Sequence, residues 1–156
     1  MELKKVIAVR TAKTVYRDGD KAIKVFGDEY KKSDILNEAL NQARVEETGI
    51  PMPKLIEVCK LDGKWAIVSD YIEGKTLQQL MDENPDKKDT YLNQFIDIQC
   101  EIHAQYMPLL SKLKDKMARQ IKTLGQIDEI KKYELLTRLD SMPKHIKLCH
   151  GNFEPK

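Results

Sequence analysis

Residues 14–26, Thr14-Val15-Tyr16-Arg17-Asp18-Gly19-Asp20-Lys21-Ala22-Ile23-Lys24-Val25-Phe26, read as two strands joined by a tight reversal. Thr14 to Arg17 holds β-branched and aromatic residues, and Asp18-Gly19-Asp20 supplies the glycine that lets a backbone turn back into Lys21 to Phe26. Side chains alternate along a strand, so Lys24 projects from one face while Ile23 and Val25 project from the other. Working outward, Val6, Ile7 and Ala8 predict a strand before this hairpin. A second hairpin follows, with Leu55 to Lys60 and Lys64 to Tyr71 flanking Leu61-Asp62-Gly63. Between the hairpins lies one helix. Ser33 is its expected N-cap, Ile35, Leu36, Ala39, Leu40 and Ala43 its apolar face, and Gly49-Ile50-Pro51 its stop. The order is β-β-β-α-β-β.

Beyond Tyr71 the periodicity becomes helical. Gly74 breaks the chain, Thr76 and Gln79 have capping-box spacing, and Pro85 ends the short helix that they start. A second helix is expected over about 90–106. A third should carry Leu109, Leu113, Met117, Ile121 and Leu124 inward, with Lys112, Lys114, Lys116, Arg119 and Lys122 elsewhere. A fourth is expected over about 127–139, ending before Pro143. The chain therefore divides into residues 1–70, strand-rich, and 71–156, mainly helical.

Composition excludes several functions. The 156 residues include 27 Lys or Arg and 25 Asp or Glu, a net charge of +2, with 41% hydrophobic and 33% charged. Proteins that grip nucleic acid non-specifically carry a strong basic excess, which is missing, and Asp115 interrupts the one lysine-rich helix face. No apolar run approaches the ~20 residues of a membrane span. The opening MELKKVIAVR lacks a signal-peptide apolar region, so a cytoplasmic protein is expected. Cys59, Cys100 and Cys149 form no CxxC pair, and we expect reduced thiols and no metal site built from them. Cys149 and His150 are adjacent, and neighbours on an extended strand point apart, so they do not make a nucleophile and its base.

Three places remain for chemistry. Lys24 sits between apolar neighbours, where a cation can pair with phosphate oxygens, and a Glu38 carboxylate on the following helix would hold it towards a cleft, with Glu46 and Glu47 as competing partners. Ser69-Asp70-Tyr71-Ile72-Glu73-Gly74 joins the two halves and offers backbone groups to a planar ligand. Leu148-Cys149-His150-Gly151-Asn152-Phe153-Glu154-Pro155-Lys156 is a polar loop shaped by Gly and Pro, the kind of segment on which catalytic groups are mounted.

In order and spacing these pieces resemble the aminoglycoside phosphotransferase and choline kinase-like group. The resemblance is carried by Ile23-Lys24-Val25-Phe26, Glu38 eleven residues before Gly49-Ile50-Pro51-Met52-Pro53, Val68 to Gly74, Ile102-His103-Ala104 and His150-Gly151-Asn152-Phe153-Glu154-Pro155. It implies an α+β, protein-kinase-like fold, with a five-stranded antiparallel N-terminal lobe holding one helix and an incomplete, mainly helical C-terminal lobe. It also implies ATP and Mg²⁺ as cofactors and a small hydroxylated acceptor. Lys24 would contact the α- and β-phosphates, Glu38 would orient it, and the backbone of Asp70, Tyr71 and Ile72 would receive the adenine. Arg10 to Thr14 would lie over the phosphates, although that stretch has no glycine. His150 and Asn152 fall in the catalytic loop. His103 reads as a packing histidine. The group has an aspartate where this chain has Asn152, and a carboxamide can bond a hydroxyl but cannot take its proton near pH 7. The group's metal-binding residues would start at position 157, past Lys156, so no metal ligand is assigned. The expectation is a truncated phosphotransferase-family protein that transfers phosphate poorly or not at all, or else a non-catalytic nucleotide-binding module. Exposed helix faces at Leu109, Leu113 and Met117 would favour self-association.

Overall fold

The computed structural model describes residue 3, residues 5–144 and residues 146–155. Met1, Glu2 and Lys4 of the opening segment, His145, and Lys156 at the end of the polar loop lie outside the described residues. Backbone proximity divides the chain into two compact units, one running to Gln99 and resuming at Asn152, the other Cys100–Gly151. The change from strands to helices comes earlier, at the end of the last strand, Asp70.

The first unit is built on five strands: β1 (Lys5–Arg10), β2 (Lys13–Asp18), β3 (Lys21–Phe26), β4 (Leu55–Leu61) and β5 (Lys64–Asp70). They form one antiparallel sheet in the order β1-β2-β3-β5-β4. The first strand is longer at both ends than Val6 to Ala8. The turn chemistry explains the register. Gly19 takes φ 62°, and Asp18 pairs with Lys21 across it. Asp62 and Gly63 take φ 49° and 81°, the left-handed pair that matches strand twist in a two-residue hairpin, and Leu61 pairs with Lys64.

Helix α1 (Lys32–Glu46) crosses one face of this sheet. Ser33 is not its N-cap: the helix starts two residues earlier than that cap would give, and Lys31 holds the cap position without a side-chain bond. Asp34 in the first turn still suits the positive end of the helix dipole. At the other end Gly49 turns at φ 78°, as the stop signal predicted. The expected apolar face is narrower than its pattern suggests. Ile35 and Ala39, one turn apart, are buried, whereas Leu36 and Leu40 are exposed.

Alternation splits the core between the two sheet faces. Ile23, Val25, Ala66 and Val68 cluster on one face with Tyr16, Cys59, Leu61 and Leu3 against them. Phe26 and Ile67 meet Ile35 and Ala39 of α1 on the other, with Tyr30, Leu55, Val58 and Trp65 around them. Lys24 shares the α1 face with Phe26, which places an ammonium group at the edge of a packed layer.

After β5 the first unit continues mainly in helices. Helix α2 (Leu77–Glu83) has the predicted capping box: Gln79 N–H donates to Thr76 Oγ1 at 3.2 Å and Thr76 N–H to Gln79 Oε1 at 2.9 Å. A 3-10 turn, Pro85–Lys87, leads into α3 (Lys88–Ala104), which runs past the unit boundary and ends before Tyr106.

In the second unit α4 (Leu113–Thr123) packs on α5 (Glu129–Ser141). Leu109 lies before α4, in a turn that contains Pro108, where Leu110 N–H donates to Met107 O at 3.2 Å. The start of α5 is fixed by Asp128, whose carboxylate accepts from Lys131 N–H at 2.7 Å, close to the expected start. At its far end Lys114 Nζ donates to the carbonyls of Asp140 and Met142 at 3.0 and 2.9 Å, a cation where the helix dipole is negative. The inward face expected of this helix is not covered: Leu113, Met117 and Leu124 are exposed, as is Leu109 ahead of it. Among the described residues no helix is long and apolar enough to cross a membrane.

Candidate functional site

Lys24 lies mid-strand in β3, opposite Val15 of β2 and Ile67 of β5, so hydrogen-bonded neighbours hold its backbone on both sides. Glu38 lies on α1 next to the buried Ala39, on the side of the helix that overlooks the sheet. Lys24 Nζ donates to Glu38 Oε1 at 2.9 Å, which is the pair anticipated from sequence. Glu46, one of the competing carboxylates, instead accepts from the Leu55 backbone N–H.

Glu38 has a second partner. Lys13 Nζ donates to Oε2 at 2.8 Å, so each carboxylate oxygen holds one lysine. The Lys13 ammonium also sits 4.9 Å from the Phe26 ring centroid and 4.8 Å from that of Tyr30, two rings packed edge to face. Partial burial pushes the Glu38 carboxyl up. The hydrogen bonds from Lys13 and Lys24 and their positive charges outweigh that, so its pKa falls below the ordinary glutamate value. The side chains of Lys13, Lys24 and Glu38 are 23%, 37% and 34% exposed, which leaves Lys24 the most open to a ligand.

The stretch Arg10 to Thr14 contains only a two-residue turn, Thr11-Ala12, between paired strands, and Gly27 N–H donates to Ala12 O at 2.9 Å. This reversal is pinned beside the end of β3. It is not a long glycine-rich flap.

The segment after β5 is tied down in the same unit. Asp70 N–H donates to Lys54 O at 3.0 Å and Tyr71 N–H to Asp20 O at 2.8 Å, so both amides are committed within the protein. The Arg17 guanidinium lies 4.0 Å from the Tyr71 ring centroid and 3.4 Å from Glu73 Oε1. Ile72, 63% exposed, is the member of the trio most open to solvent.

The polar loop reverses at Gly151, φ 81°. Asn152 Nδ2 donates to Glu154 Oε1 at 3.2 Å, Phe153 stacks on Phe95 of α3 at 4.4 Å, and Pro155 O accepts from Gln78 N–H of α2 at 3.0 Å. These contacts fasten residues 152–155 to the helices of the first unit. His150, exposed, precedes the reversal. Cys149 is exposed and its thiol bonds the Lys147 carbonyl at 3.6 Å. His103 lies on α3, where its carbonyl accepts from Lys147 Nζ at 3.5 Å. No hydrogen bond or ion pair among the described residues joins Asn152 to Lys24 or Glu38. Nor do any three or more His, Cys, Asp or Glu side chains among them gather into a group that could hold a metal ion.

Lys13 was the residue that sequence reasoning missed, though a signal for it existed. The Gly19-Asp20 reversal sets the β2–β3 register, and counting back from it puts Lys13, Val15 and Arg17 on the Lys24 face. The aromatic seat of Lys13 had no comparable signal, because Tyr30 lies outside any strand.

No protein-family model matches the chain, and no curated protein does either. Solved structures do resemble it. One is a choline/ethanolamine kinase family protein from Mesorhizobium loti, with TM-score 0.48 and 15% identity over 88% of this chain and 44% of that one. Another is APH(2'')-IIa in a ternary complex with streptomycin and ATP, with TM-score 0.48 and 14% identity over 87% of this chain and 50% of that one. The chain spans about half the length of these structures.

Proposed function

We propose that this chain binds a nucleoside triphosphate through Lys24, as a relative of the aminoglycoside phosphotransferase and choline kinase-like group, and transfers phosphate to a small hydroxylated acceptor slowly. The observation that carries this reading is the Lys24–Glu38 bond of 2.9 Å on a central strand. One ammonium proton is used by Glu38 and two remain, enough for two phosphate oxygens. Adenine would then lie along residues 70–72, with Ile72 as the open backbone position. Residues 1–70 would form a nucleotide-binding lobe and residues 71–156 a partial helical lobe ending in the catalytic loop, in a cytoplasmic protein with access to ATP.

Slow transfer follows from Asn152. Its amide N–H₂ is turned to Glu154, which leaves its oxygen to accept a hydrogen bond from an acceptor hydroxyl. That bond orients the hydroxyl without removing its proton, and general-base assistance is commonly worth about 10²–10⁴-fold. Mg²⁺ neutralises charge between the phosphates in reactions of this kind. The described residues do not gather three or more His, Cys, Asp or Glu side chains to hold it.

The test is a thermal-shift titration with Mg·ATP on the chain and on Lys24→Ala. A ligand at a hundred times its Kd stabilises by about 2.7 kcal/mol, several degrees at about 2–4 °C per kcal/mol for a chain of this size. A rise that disappears in Lys24→Ala supports the reading; a clear melt with no rise overturns it. The Asn152–Glu154 bond also favours a second reading, a nucleotide-binding module without catalysis. That reading predicts the same thermal shift and no phosphate transfer to any hydroxylated acceptor.

A further inference from the structure

We propose that Lys13 is a positioning residue of this site: seated over Phe26 and Tyr30, it holds one oxygen of Glu38 and so fixes the carboxylate that aims Lys24. The inference rests on the reading of Lys24 as a phosphate contact. Its grounds are geometric.

A carboxylate bound to one lysine can swing, because the lysine stem has four rotatable bonds and follows it. Glu38 is bound at both oxygens, at 2.8 Å by Lys13 and 2.9 Å by Lys24, so its plane is set. The two lysines are not equivalent. Lys13 is the less exposed, and its ammonium faces two aromatic rings within 5 Å, where the ring quadrupoles attract it. Lys24 has no ring contact among the described residues and is the more exposed, so it is free to turn its remaining protons to a ligand. The backbone supports the same division. Lys13 starts β2 opposite Phe26, diagonal to Lys24 opposite Val15, so both ammonium groups rise from one sheet face. The turn before Lys13 is held by Gly27 N–H, which keeps the strand end next to Phe26.

The arrangement also has an electrostatic consequence. Two ammonium groups share one carboxylate, which leaves one positive charge in excess before any ligand arrives. An anion that meets Lys24 therefore does not have to displace Glu38. A site with Lys24 and Glu38 alone would be neutral and would lack this excess charge.

The experiment follows Glu38 itself. With ¹³C placed at glutamate Cδ and the Glu38 signal assigned by its loss in Glu38→Gln, the carboxyl is titrated by NMR in the chain, in Lys13→Met and in Lys13→Arg. Mg·ATP affinity is measured on the same samples. Removing a cation bonded to a carboxylate is expected to raise its midpoint by about one unit or more. Lys13→Met should show that rise and about tenfold weaker nucleotide binding, on the scale of one lost charged hydrogen bond. Lys13→Arg, which keeps charge, donors and ring stacking, should restore both. An unmoved Glu38 midpoint in Lys13→Met overturns the proposal whatever the nucleotide does. A raised midpoint with unchanged affinity overturns the positioning role. Absence of nucleotide binding in the unaltered chain overturns the proposed function instead, and the Glu38 midpoint still decides whether Lys13 holds the carboxylate. If Lys13→Met does not fold, Lys13→Gln, one atom shorter, keeps a polar donor without the charge and gives the same reading of the Glu38 midpoint.

Discussion

Glu38 concentrates the electrostatics of the first unit, and its sign can be followed to a measurable end. Its pKa is lowered in the folded chain, so it adds stability that is present above the ordinary glutamate range and is lost as the pH falls through the folded value. Glu38→Gln should therefore flatten the acid limb of a urea-midpoint profile as the pH falls through and below the ordinary glutamate range, with little change in slope at neutral pH. An unchanged acid limb would show that the ion pair contributes nothing to folding. The cysteines differ in a similarly testable way. Burial, with the nearby Glu57 charge, raises the Cys59 thiol, whereas Cys100 and Cys149 are exposed. Iodoacetamide near pH 8 should label Cys100 and Cys149 well before Cys59, as read by peptide mass spectrometry, because the thiolate is the reactive form. The Lys24–Glu38 pair was legible from residue type and spacing. Its second lysine was legible only through the hairpin register, and the ring seat under that lysine was not legible at all.

Elements differ in how far their sequence foretells them. The hairpins were readable because their turns are local: Gly19, Asp62 and Gly63 adopt left-handed backbone, and that alone sets which residues pair. The capping box of α2 was readable for the same reason, since both of its bonds span three residues. Helix α1 was harder. Its pattern offered Ile35, Leu36, Ala39, Leu40 and Ala43 together, and the sheet beneath is met chiefly by Ile35 and Ala39. Ile35→Ala should accordingly cost about 2–5 kcal/mol, while Leu36→Ala should stay within about 1 kcal/mol. Equal losses in urea denaturation would contradict the packing. In the second unit, Asp128→Ala removes the N-cap of α5 and should cost about 0.5–2 kcal/mol, measured as lost helicity or a lower melting point.

For the molecule as a whole, a ligand should be felt first in the elements that carry Lys24 and Glu38. Nucleotide bound at Lys24 should slow amide exchange in β2, β3 and α1, as followed by hydrogen exchange with and without Mg·ATP. Protection confined to α4 and α5 would move the site away from Lys24. Composition showed no strong basic excess, alternation placed Lys24 on the opposite face from Ile23, and turn residues set strand order within each hairpin. These readings rest on interactions a few residues apart, whose geometry the chain carries in its own covalent spacing. The choice of Glu38 over Glu46, the union of Lys13 with Lys24, the commitment of the Asp70 and Tyr71 amides, and the docking of Phe153 on Phe95 came only from the folded chain. Those contacts join residues from 14 to 58 positions apart or compete among several equal candidates. Packing chooses among them, because burial excludes water from one pairing and leaves the others solvated.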